Sequence, residues 1–341
     1  MRQRCDFTEK WELEREILAH PAFSGGTLKF LRRLSANHSQ LSEYTFQSTT
    51  ETKLLVVKQQ AFGPKSEDVT LQEFANLNRV RSLLGPALAG SVPEPLLTLP
   101  EKATLVTTRV PGVSLSLILK RCGNRFVGPF RSSALAEIAQ RVGAWLRVFQ
   151  KTTQKPPLPF SLDSYLAALK MWLSEAQGKG LGSELAGEIL QRLSDYTLPL
   201  NGRLISASGK HGDFIPQNIL VEDTSIAVVD FEGFAEHEPI YDDVGMFLGY
   251  LFVLKARAFY SWRSLGAVRN GFLRGFLSED EIEEALLNIY TLKSVVRIIA
   301  DGPPITGNRN SVGAARLLPR LLKELTSGKQ TESRLSFKRL G

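Results

Sequence analysis

Four polar side chains stand at spacings that suggest chemistry between residues 211 and 230. They are His211, Asp213, Asn218 and Asp230, and short apolar runs separate the last two. Mg²⁺ prefers hard oxygen ligands and completes its shell with phosphate and water. Phosphoryl transfer also needs a carboxylate that orients the attacking hydroxyl. The pattern predicts that Asp213 serves the hydroxyl, while Asn218 and Asp230 hold magnesium against phosphates.

The interval between Asn218 and Asp230 favours a β-hairpin. NILVE and IAVVD are two strand-like runs joined by Asp223, Thr224 and Ser225, a turn composition typical of hairpins. A hairpin returns the chain, so that Asp230 can reach the ion that Asn218 binds.

The first hundred or so residues predict an antiparallel sheet with one helix. Phe74, Leu77, Val80 and Leu84 share one helical face, which ends at Gly85-Pro86. The extended segments are residues 27–35, 40–48, 53–60, 93–99 and 103–110. Pro111-Gly112 marks a break in the chain, so we expect a first lobe over residues 1–110.

Residues 111–341 are predicted to form a mainly helical second lobe. Apolar residues recur at helical spacing from Leu135 to Phe149, and another helix starts after Ser161. The glycine-rich segment 178–182 reads as a connection between helices, because no strand leads into it. Ser278 and Glu281 suggest a capping box that opens a helix through Ile299.

The motif HGDFIPQN followed by VVDFE resembles the aminoglycoside phosphotransferase and choline kinase family. The resemblance implies an α+β, two-lobed protein-kinase-like fold and a small-molecule kinase that uses ATP and Mg²⁺. It implies that Asp213 is catalytic, that Asn218 and Asp230 bind the metal, and that His211 braces the loop. Asp243 would have a structural role where the next helix begins.

The same resemblance implies a nucleotide site in the first lobe. Lys58 would contact the phosphates and Glu73 would pair with it, while the backbone at Arg109 and Val110 would meet the adenine. Two alternatives stay open. Lys58 is also typical of a solvated strand edge, and Thr70 with Glu73 matches a capping box.

Two features depart from protein kinases. The loop at residues 35–39 contains no glycine, whereas protein kinases cover the phosphates with a glycine-rich loop. The short interval between Asp230 and Tyr241 leaves no room for an activation segment, which argues for a small substrate. The acidic run in that interval, from Glu232 to Asp243, either binds a cationic substrate or is mostly solvated surface.

Composition predicts a soluble globular protein. Of 341 residues only two are cysteine, which excludes a disulfide framework and fits a reducing compartment. The N-terminus lacks the apolar core of a secretory signal, and the apolar run 244–254 is too short to span a bilayer. We therefore expect a cytoplasmic location.

Charge is concentrated at the C-terminal end. Residues 303–341 hold 8 Lys or Arg against 2 Asp or Glu, within a formal net charge of +7. The rest is nearly neutral and has no basic stripe interleaved with aromatics, so no nucleic-acid partner is expected. For this basic tail we expect a last helix and a solvated end, and contact with a partner or membrane surface stays open.

The sequence thus predicts a phosphotransferase acting on a hydroxyl of a sugar, an aminosugar or an amino alcohol. The alternative is a non-catalytic kinase-fold binding protein, against which the complete Asp, Asn, Asp set argues. The acceptor and the choice between ATP and GTP are left open by the sequence.

Overall fold

The structure, a computed structural model, describes residues 7–34, 39–60, 66–277, 283–302, 318–319 and 322–323. The chain divides into two compact units, residues 1–112 with 227–233 and residues 113–226 with 234–341. The capping box predicted at Ser278 and Glu281 lies outside the described residues, as do nearly all of the loop 35–39 and of the basic tail.

The first unit contains a five-stranded antiparallel sheet and two helices. The strands are β1 (Thr27–Leu34), β2 (Ser39–Gln47), β3 (Thr52–Gln60), β4 (Pro95–Leu99) and β5 (Thr104–Thr108). Their order is β1-β2-β3-β5-β4. The helices are α1 (Phe7–Ala19) and α2 (Ser66–Ala89). All five strands fall on the predicted extended segments, whereas α1 was not predicted.

The core of this sheet explains why α1 forms. Leu13 and Ile17 of α1 are buried in one cluster with Phe23, Phe46 and Leu55. Two apolar residues four positions apart lie on one helical face, so α1 covers an apolar surface of the sheet. The second helix, α2, breaks at Gly85 with φ 60 and ψ −174, which is where the sequence predicted its end.

The second unit is mainly helical and also carries short strands. Its helices are α3 (Leu115–Cys122), α4 (Gly128–Thr152), α5 (Leu162–Gly178), α6 (Ser183–Thr197), α7 (Tyr241–Lys255), α8 (Trp262–Phe276) and α9 (Glu284–Asp301). Its strands are β6 (Val113–Ser114), β7 (Lys155–Pro159), β8 (Leu204–Lys210), β9 (Ile219–Glu222) and β11 (Ala235–Pro239). Strand β10 (Ser225–Val228) begins in this unit, and its last two residues belong to the first unit. The fold class is therefore α+β, as predicted.

Two three-stranded sheets flank the motif identified in the sequence. Their orders are β10-β9-β6 and β11-β8-β7. Strands β9 and β10 form the predicted hairpin, and Asp223 at its turn has φ 38. The hairpin follows Asn218 directly and precedes Asp230, while β8 ends at Lys210, just before His211.

The helices of the second unit pack at close range. A Cβ at Gly271 of α8 would overlap the carbonyl oxygen of Ala136 in α4, and a Cβ at Gly143 of α4 would overlap that of Phe272. Helix α7 is buried along most of its length, so the apolar run 244–254 is a core helix. Among the described residues, every helix falls short of the length or apolar character that a bilayer span requires.

Candidate active site

Lys58 lies near the end of β3 and is bonded to two carboxylates of the first unit. Its Nζ lies 2.8 Å from Oε2 of Glu73 and 2.7 Å from Oδ1 of Asp230. Glu73 comes from α2 and Asp230 follows β10, so three distant parts of the sequence converge on one ammonium group. Because the Lys58 side chain is only 13% exposed, the solvated strand edge is excluded.

The capping-box alternative for Glu73 is also excluded by the position of α2. This helix begins at Ser66, so Thr70 lies inside it. The Thr70 hydroxyl donates to the carbonyl oxygen of Ser66 at 2.8 Å, which is the local bond of a threonine within a helix. Glu73 is consequently free of a capping role and points its carboxylate at Lys58.

Burial sets the electrostatics of this ion pair. It raises the pKa of Glu73 to about 7 against the opposing effect of Lys58, and the charges of Asp230 and Glu232 add to the rise. Burial also acts to lower the pKa of Lys58, but Glu73 and Asp230 outweigh it and hold that pKa above its ordinary value. Lys58 is therefore a fixed cation near neutral pH.

Asp230 is held in a strained backbone conformation. Its φ of 71 lies in the left-handed region, which residues with a side chain rarely adopt unless their surroundings enforce it. The flanking chain supplies that constraint. The N–H of Val228 donates to the Ser91 carbonyl at 2.8 Å, and Nδ2 of Asn76 donates to the carbonyl of Phe231 at 2.9 Å.

Carboxylate oxygens of Glu73, Asp230 and Glu232 all lie within 4.8 Å of one another. Such a group fits a hard divalent cation, since Mg²⁺ takes one or two carboxylates and fills its shell with phosphate and water. From the sequence, Glu232 was predicted only as part of the acidic run and not as a member of this cluster. The position of Glu232, two residues after Asp230, is the sequence feature from which its place in the cluster could have been predicted.

Arg109 and Val110 follow β5 at the edge of the first unit. The N–H of Arg109 donates to the carbonyl of Leu54 at 2.8 Å. Its guanidinium pairs with Glu43, which Arg32 also contacts at 2.6 Å. Both the side chain and the N–H of Arg109 are thus engaged within the unit.

The loop after β8 belongs to the second unit and is fastened by Asp243. The N–H of His211 donates to Oδ2 of Asp243 at 2.7 Å, and the N–H of Gly212 donates to Oδ1 at 3.0 Å. His211 is fully buried, and its Nδ1 accepts the N–H of Asp213 at 3.2 Å. Gly212 has φ 89, which favours glycine.

Asn218 closes this loop onto Asp213. Its Nδ2 donates to the backbone carbonyl of Asp213 at 3.0 Å and to the Oδ2 carboxylate oxygen at 3.0 Å. The amide nitrogen is therefore committed to Asp213, and Oδ1 is the Asn218 atom suited to bind a cation. The tightly folded loop brings together Asp213 and Asn218, the two residues that the motif predicted to act together.

Burial raises the pKa of Asp243 to about 6, although the two backbone N–H groups from His211 and Gly212 act to lower it. The carboxylate carries a desolvation cost that these hydrogen bonds offset only in part. Asp243 thus acts on the loop through hydrogen bonds, and it contributes an ionisation near pH 6 to the folded state.

A cavity of about 370 Å³ lies in the second unit beside this loop. Its lining combines aromatic rings with charges of both signs. The aromatic residues are Phe160, Tyr165, Trp172 and Tyr290, and the charged residues are Lys210, Glu238, Asp242, Asp243, Lys293 and Arg297. This cavity was not predicted from the sequence, because its walls come from six separate elements, β7, α5, β8, β11, α7 and α9.

Lys293 occupies the aromatic part of the cavity wall. Its Nζ lies 4.5 Å from the ring centre of Tyr290, 5.8 Å from that of Tyr165 and 5.9 Å from that of Trp172. Its Nζ also bonds Oδ1 of Asp242 at 2.7 Å. Cation–π attraction and the ion pair together hold this ammonium against the rings.

The acidic run is mostly paired with groups of the protein itself. Lys155 lies 3.2 Å from Glu236, Lys210 lies 3.3 Å from Glu238, and Asp242 pairs with Lys293. These pairs leave little unbalanced negative charge for a cationic substrate, and they also differ from a merely solvated surface.

A model of the phosphotransferase enzyme family matches residues 33–285. The chain belongs to this family. It is therefore a small-molecule kinase, and the expected family is confirmed. Comparison with curated protein sequences gave no significant match.

Solved structures of kinases share the fold of this phosphotransferase at low sequence identity. A choline/ethanolamine kinase family protein from Mesorhizobium loti is 15% identical, with 97% of this chain and 99% of that chain covered and a TM-score of 0.58. The ADP-bound aminoglycoside phosphotransferase APH(2'')-Ib is 14% identical, with coverages of 94% and 99% and a TM-score of 0.53. Amicoumacin kinase hAmiN is 15% identical, with coverages of 95% and 94% and a TM-score of 0.54. The protein-kinase-like fold is thereby confirmed.

The predicted residues of the phosphotransferase fall into separate groups. Lys58, Glu73 and Asp230 meet in the first unit, where Arg109 and Val110 also lie. The loop residues His211, Asp213, Asn218 and Asp243 meet in the second unit. Two residues that the sequence analysis missed are Lys293 and Arg297, and the latter donates from Nη1 to the carbonyl of Gly212 at 2.8 Å.

Proposed function

We propose that this phosphotransferase transfers the γ-phosphoryl group of ATP to a hydroxyl of a small molecule in a Mg²⁺-dependent reaction. The observation that carries the proposal is Lys58, whose ammonium bonds both Glu73 and Asp230. Because desolvation offsets much of the attraction in a buried ion pair, stability alone is a weak reason to keep Lys58 between two carboxylates, and a binding role is favoured. Phosphate groups are the natural ligand of such a cation.

In this proposal, residues of the first unit bind the nucleotide. Lys58 contacts the phosphates, and Glu73 keeps the ammonium in place. The carbonyl of Arg109 and the backbone of Val110 meet the adenine. Related structures of this fold contain ADP, as in APH(2'')-Ib, or AMP-PNP and Ca²⁺, as in amicoumacin kinase, which supports ATP as the co-substrate.

Asp230 and Asn218 hold Mg²⁺ in this proposal, and Glu232 is an added acidic group near Asp230. A bound Mg²⁺ neutralises charge on the phosphates during transfer. The chemistry of the donors fits, since the Asp230 carboxylate and the Oδ1 amide oxygen of Asn218 are each of the hard oxygen type that Mg²⁺ prefers. The Lys58 ammonium balances the carboxylates when no metal is bound.

Asp213 orients the acceptor hydroxyl and accepts its proton as the phosphoryl group is transferred. His211 and Asp243 act by fixing the loop, through the hydrogen bonds to its backbone. The bond from the Asn218 amide to Oδ2 of Asp213 fixes the orientation of this carboxylate within the loop. Positioning of this kind supplies most of the catalysis in phosphoryl transfer.

We infer that the acceptor enters the 370 Å³ cavity beside this loop. The neighbours of the fold include kinases for choline and for aminoglycosides. In this chain Lys293 already lies against the aromatic wall and pairs with Asp242. A quaternary ammonium would compete with that lysine, so among a sugar, an aminosugar and an amino alcohol a sugar-like polyol fits best.

Thermal unfolding with and without Mg²⁺ and ATP tests the nucleotide half of this proposal. A ligand that binds only the folded state at 100 times its Kd adds about 2.7 kcal/mol of stability. We expect a magnesium-dependent rise in the unfolding midpoint for the wild type and its loss in Asp230→Asn. GTP in place of ATP is the control for base selectivity.

Asp213→Asn distinguishes catalysis from mere binding. This variant should keep the Mg²⁺-ATP stabilisation yet lose phosphoryl transfer to a panel of polyols and amino alcohols by about 10³-fold or more. A wild type that binds Mg²⁺-ATP but turns over no acceptor would favour the non-catalytic binding protein instead. No response to either nucleotide would overturn the proposed site.

A further inference from the structure

One end of the second unit exposes an unusual number of large apolar side chains. Phe126 is 70% exposed, Phe130 is 88% exposed and Trp262 is 55% exposed. The set, here named the aromatic surface, comprises Phe126, Val127, Phe130, Phe259 and Trp262. Scattered single apolar residues are normal on protein surfaces, whereas a contiguous group indicates an interaction site.

Backbone hydrogen bonds join the two chain segments that carry the aromatic surface. The N–H of Arg125 donates to the carbonyl of Phe259 at 2.9 Å, and the N–H of Ser261 donates to that of Gly123 at 2.9 Å. Asn124 and Tyr260 form a β-bridge between these bonds. The five apolar residues therefore belong to one continuous face at the starts of α4 and α8.

Helix packing makes this face rigid. A Cβ at Gly128, the first residue of α4, would overlap the side chain of Ser264 in α8. The Ser132 and Ser264 hydroxyls lie 3.4 Å apart. The aromatic side chains thus project from two helix starts that are fixed to one another, and they are presented to solvent by a stable scaffold.

The two chain segments that carry the aromatic surface contain basic residues and no acidic ones. Residues 102–136 and 244–278 contain no Asp or Glu. The exposed basic residues of these segments that lie beside the aromatic surface are Lys120, Arg121, Arg125, Arg131 and Arg263. The guanidinium of Arg125 lies 4.9 Å from the ring centre of Phe126, so apolar and cationic groups are interleaved.

This combination matches an anionic lipid bilayer. Phe and Trp side chains partition into the headgroup boundary, and clusters of Lys and Arg are attracted to acidic headgroups. We propose that the aromatic surface docks this kinase on the surface of a membrane that contains anionic lipids, without spanning it. The inference is independent of the acceptor and of the nucleotide.

Two parts of the protein itself could cover the aromatic surface: a second copy of the chain, or its own C-terminal segment. Charge repulsion disfavours both. A second copy that docked face to face would bring Arg125 and Arg131 against like charges. The C-terminal segment 303–341 has 8 basic and 2 acidic residues, so it shares the sign of the surface and is repelled by it. The same segment would instead add to the attraction of an anionic bilayer.

Co-sedimentation with lipid vesicles tests the proposal on the full-length protein. We expect binding to vesicles of 70% phosphatidylcholine and 30% phosphatidylserine, and at least tenfold weaker binding to pure phosphatidylcholine. Phe126→Ser combined with Phe130→Ser should weaken binding at least fivefold. Leu198→Ser combined with Leu204→Ser removes equally exposed apolar residues elsewhere and should leave binding unchanged. Thermal midpoints establish that both double variants fold.

A second pair of double variants tests how much the basic residues contribute to membrane binding. Arg125→Gln with Arg131→Gln should weaken anionic vesicle binding and reduce its salt dependence, whereas Lys170→Gln with Arg192→Gln should have little effect. Failure of the wild type to bind anionic vesicles at low salt would overturn the proposal. So would binding that survives the phenylalanine variant but disappears on removal of residues 328–341, which would assign it to the tail.

Two further measurements test whether the aromatic surface binds nucleic acid or a second copy of the protein instead of a membrane. Single-stranded RNA that binds more tightly than the vesicles, with loss in the same phenylalanine variant, would reassign the surface to nucleic acid. Light scattering that reports a dimer in the wild type and a monomer in that variant would reassign it to self-association. A monomer that binds only anionic vesicles supports the membrane-surface role.

Discussion

At the scale of single residues, two opposing influences act on the pKa of Asp243. Its carboxylate accepts two backbone N–H groups, yet burial raises its pKa to about 6. A carboxyl whose pKa is higher in the folded state than in the unfolded chain favours folding in its neutral form. That contribution is fully present below about pH 4 and is lost as the pH rises through 6.

Asp243→Asn converts this ionisation into a pH-dependent stability difference. The amide does not ionise, so between pH 4 and pH 7 the wild type should lose about 3 kcal/mol of unfolding free energy relative to the variant. Urea unfolding of both proteins at pH 4, 5, 6 and 7 measures the difference. A difference that is constant across this range would show that the carboxyl titrates normally.

Glu73 makes a separate contribution to nucleotide binding. Glu73→Gln removes one of the two carboxylates that fix Lys58, but Asp230 keeps the ammonium paired. We expect the KM for ATP to rise about tenfold, which corresponds to about 1.4 kcal/mol, with little change in the KM for the acceptor. Glu67→Gln is the matched control, since Glu67 is an exposed carboxylate in the first turn of the same helix α2.

At the scale of secondary-structure elements, close packing of α4 and α8 depends on glycine. A Cβ at Gly271 would overlap the backbone of α4, while a Cβ at Gly266 in the same helix α8 would meet nothing within 4 Å. The two glycines thus form a matched pair within one element. Only one of them is required by its neighbours.

Gly271→Ala should destabilise the protein by about 2 kcal/mol or more, because backbone of α4 has to move. Gly266→Ala should stabilise it by up to about 1 kcal/mol, since alanine is the better helix former. Thermal unfolding of both variants checks the sign. Equal destabilisation by both would mean that α8 does not contact α4 as closely as the structure describes.

The secondary-structure elements also show how much of the fold the sequence predicts. Strands β1 to β5, the β9–β10 hairpin and the break at Gly85 carry clear periodicity or turn signals, and all were predicted. Helix α1 was missed because its charged residues hide a narrow apolar face at Leu13 and Ile17. Strand β11 was missed because AEHEP is polar, and its pairing with β8 comes from tertiary structure.

The candidate site also contains parts that the sequence predicts and parts that it does not. The loop from His211 to Asn218 was predictable because Asp213 and Asn218 are local in sequence, and their spacing reflects one tight loop. The environment of Lys293 was not predictable, since its rings come from α5 and α9 and its carboxylate from α7. Periodicity identifies the buried face of a helix but not the partners across a cavity.

At the scale of the whole molecule, the two units carry different parts of the proposed reaction. Lys58, Glu73 and Asp230 are in the first unit, whereas Asp213 and Lys293 are in the second. If each unit contributes its own ligand contacts, variants in one unit should impair one substrate and spare the other. Two lysines, one from each unit, allow this to be tested with the same substitution.

Lys58→Met should abolish the stabilisation by Mg²⁺-ATP and lower the slow hydrolysis of ATP without acceptor by about 100-fold. Lys293→Met should retain both, because its cation binds Asp242 and three aromatic rings of the acceptor cavity. Its defect should appear as loss of saturable acceptor phosphorylation. Lys170→Met, an exposed change on α5, controls for the loss of one positive charge.

The pattern of the two variants decides the division of roles. A Lys293→Met protein that no longer responds to Mg²⁺-ATP would mean that the cavity serves the nucleotide, and the acceptor would then have to bind elsewhere. A variant that keeps the nucleotide response and accepts a quaternary ammonium alcohol in place of a polyol would identify Lys293 as the group that excludes cationic acceptors. That exchange of preference follows directly from removing the ammonium that the aromatic wall now holds.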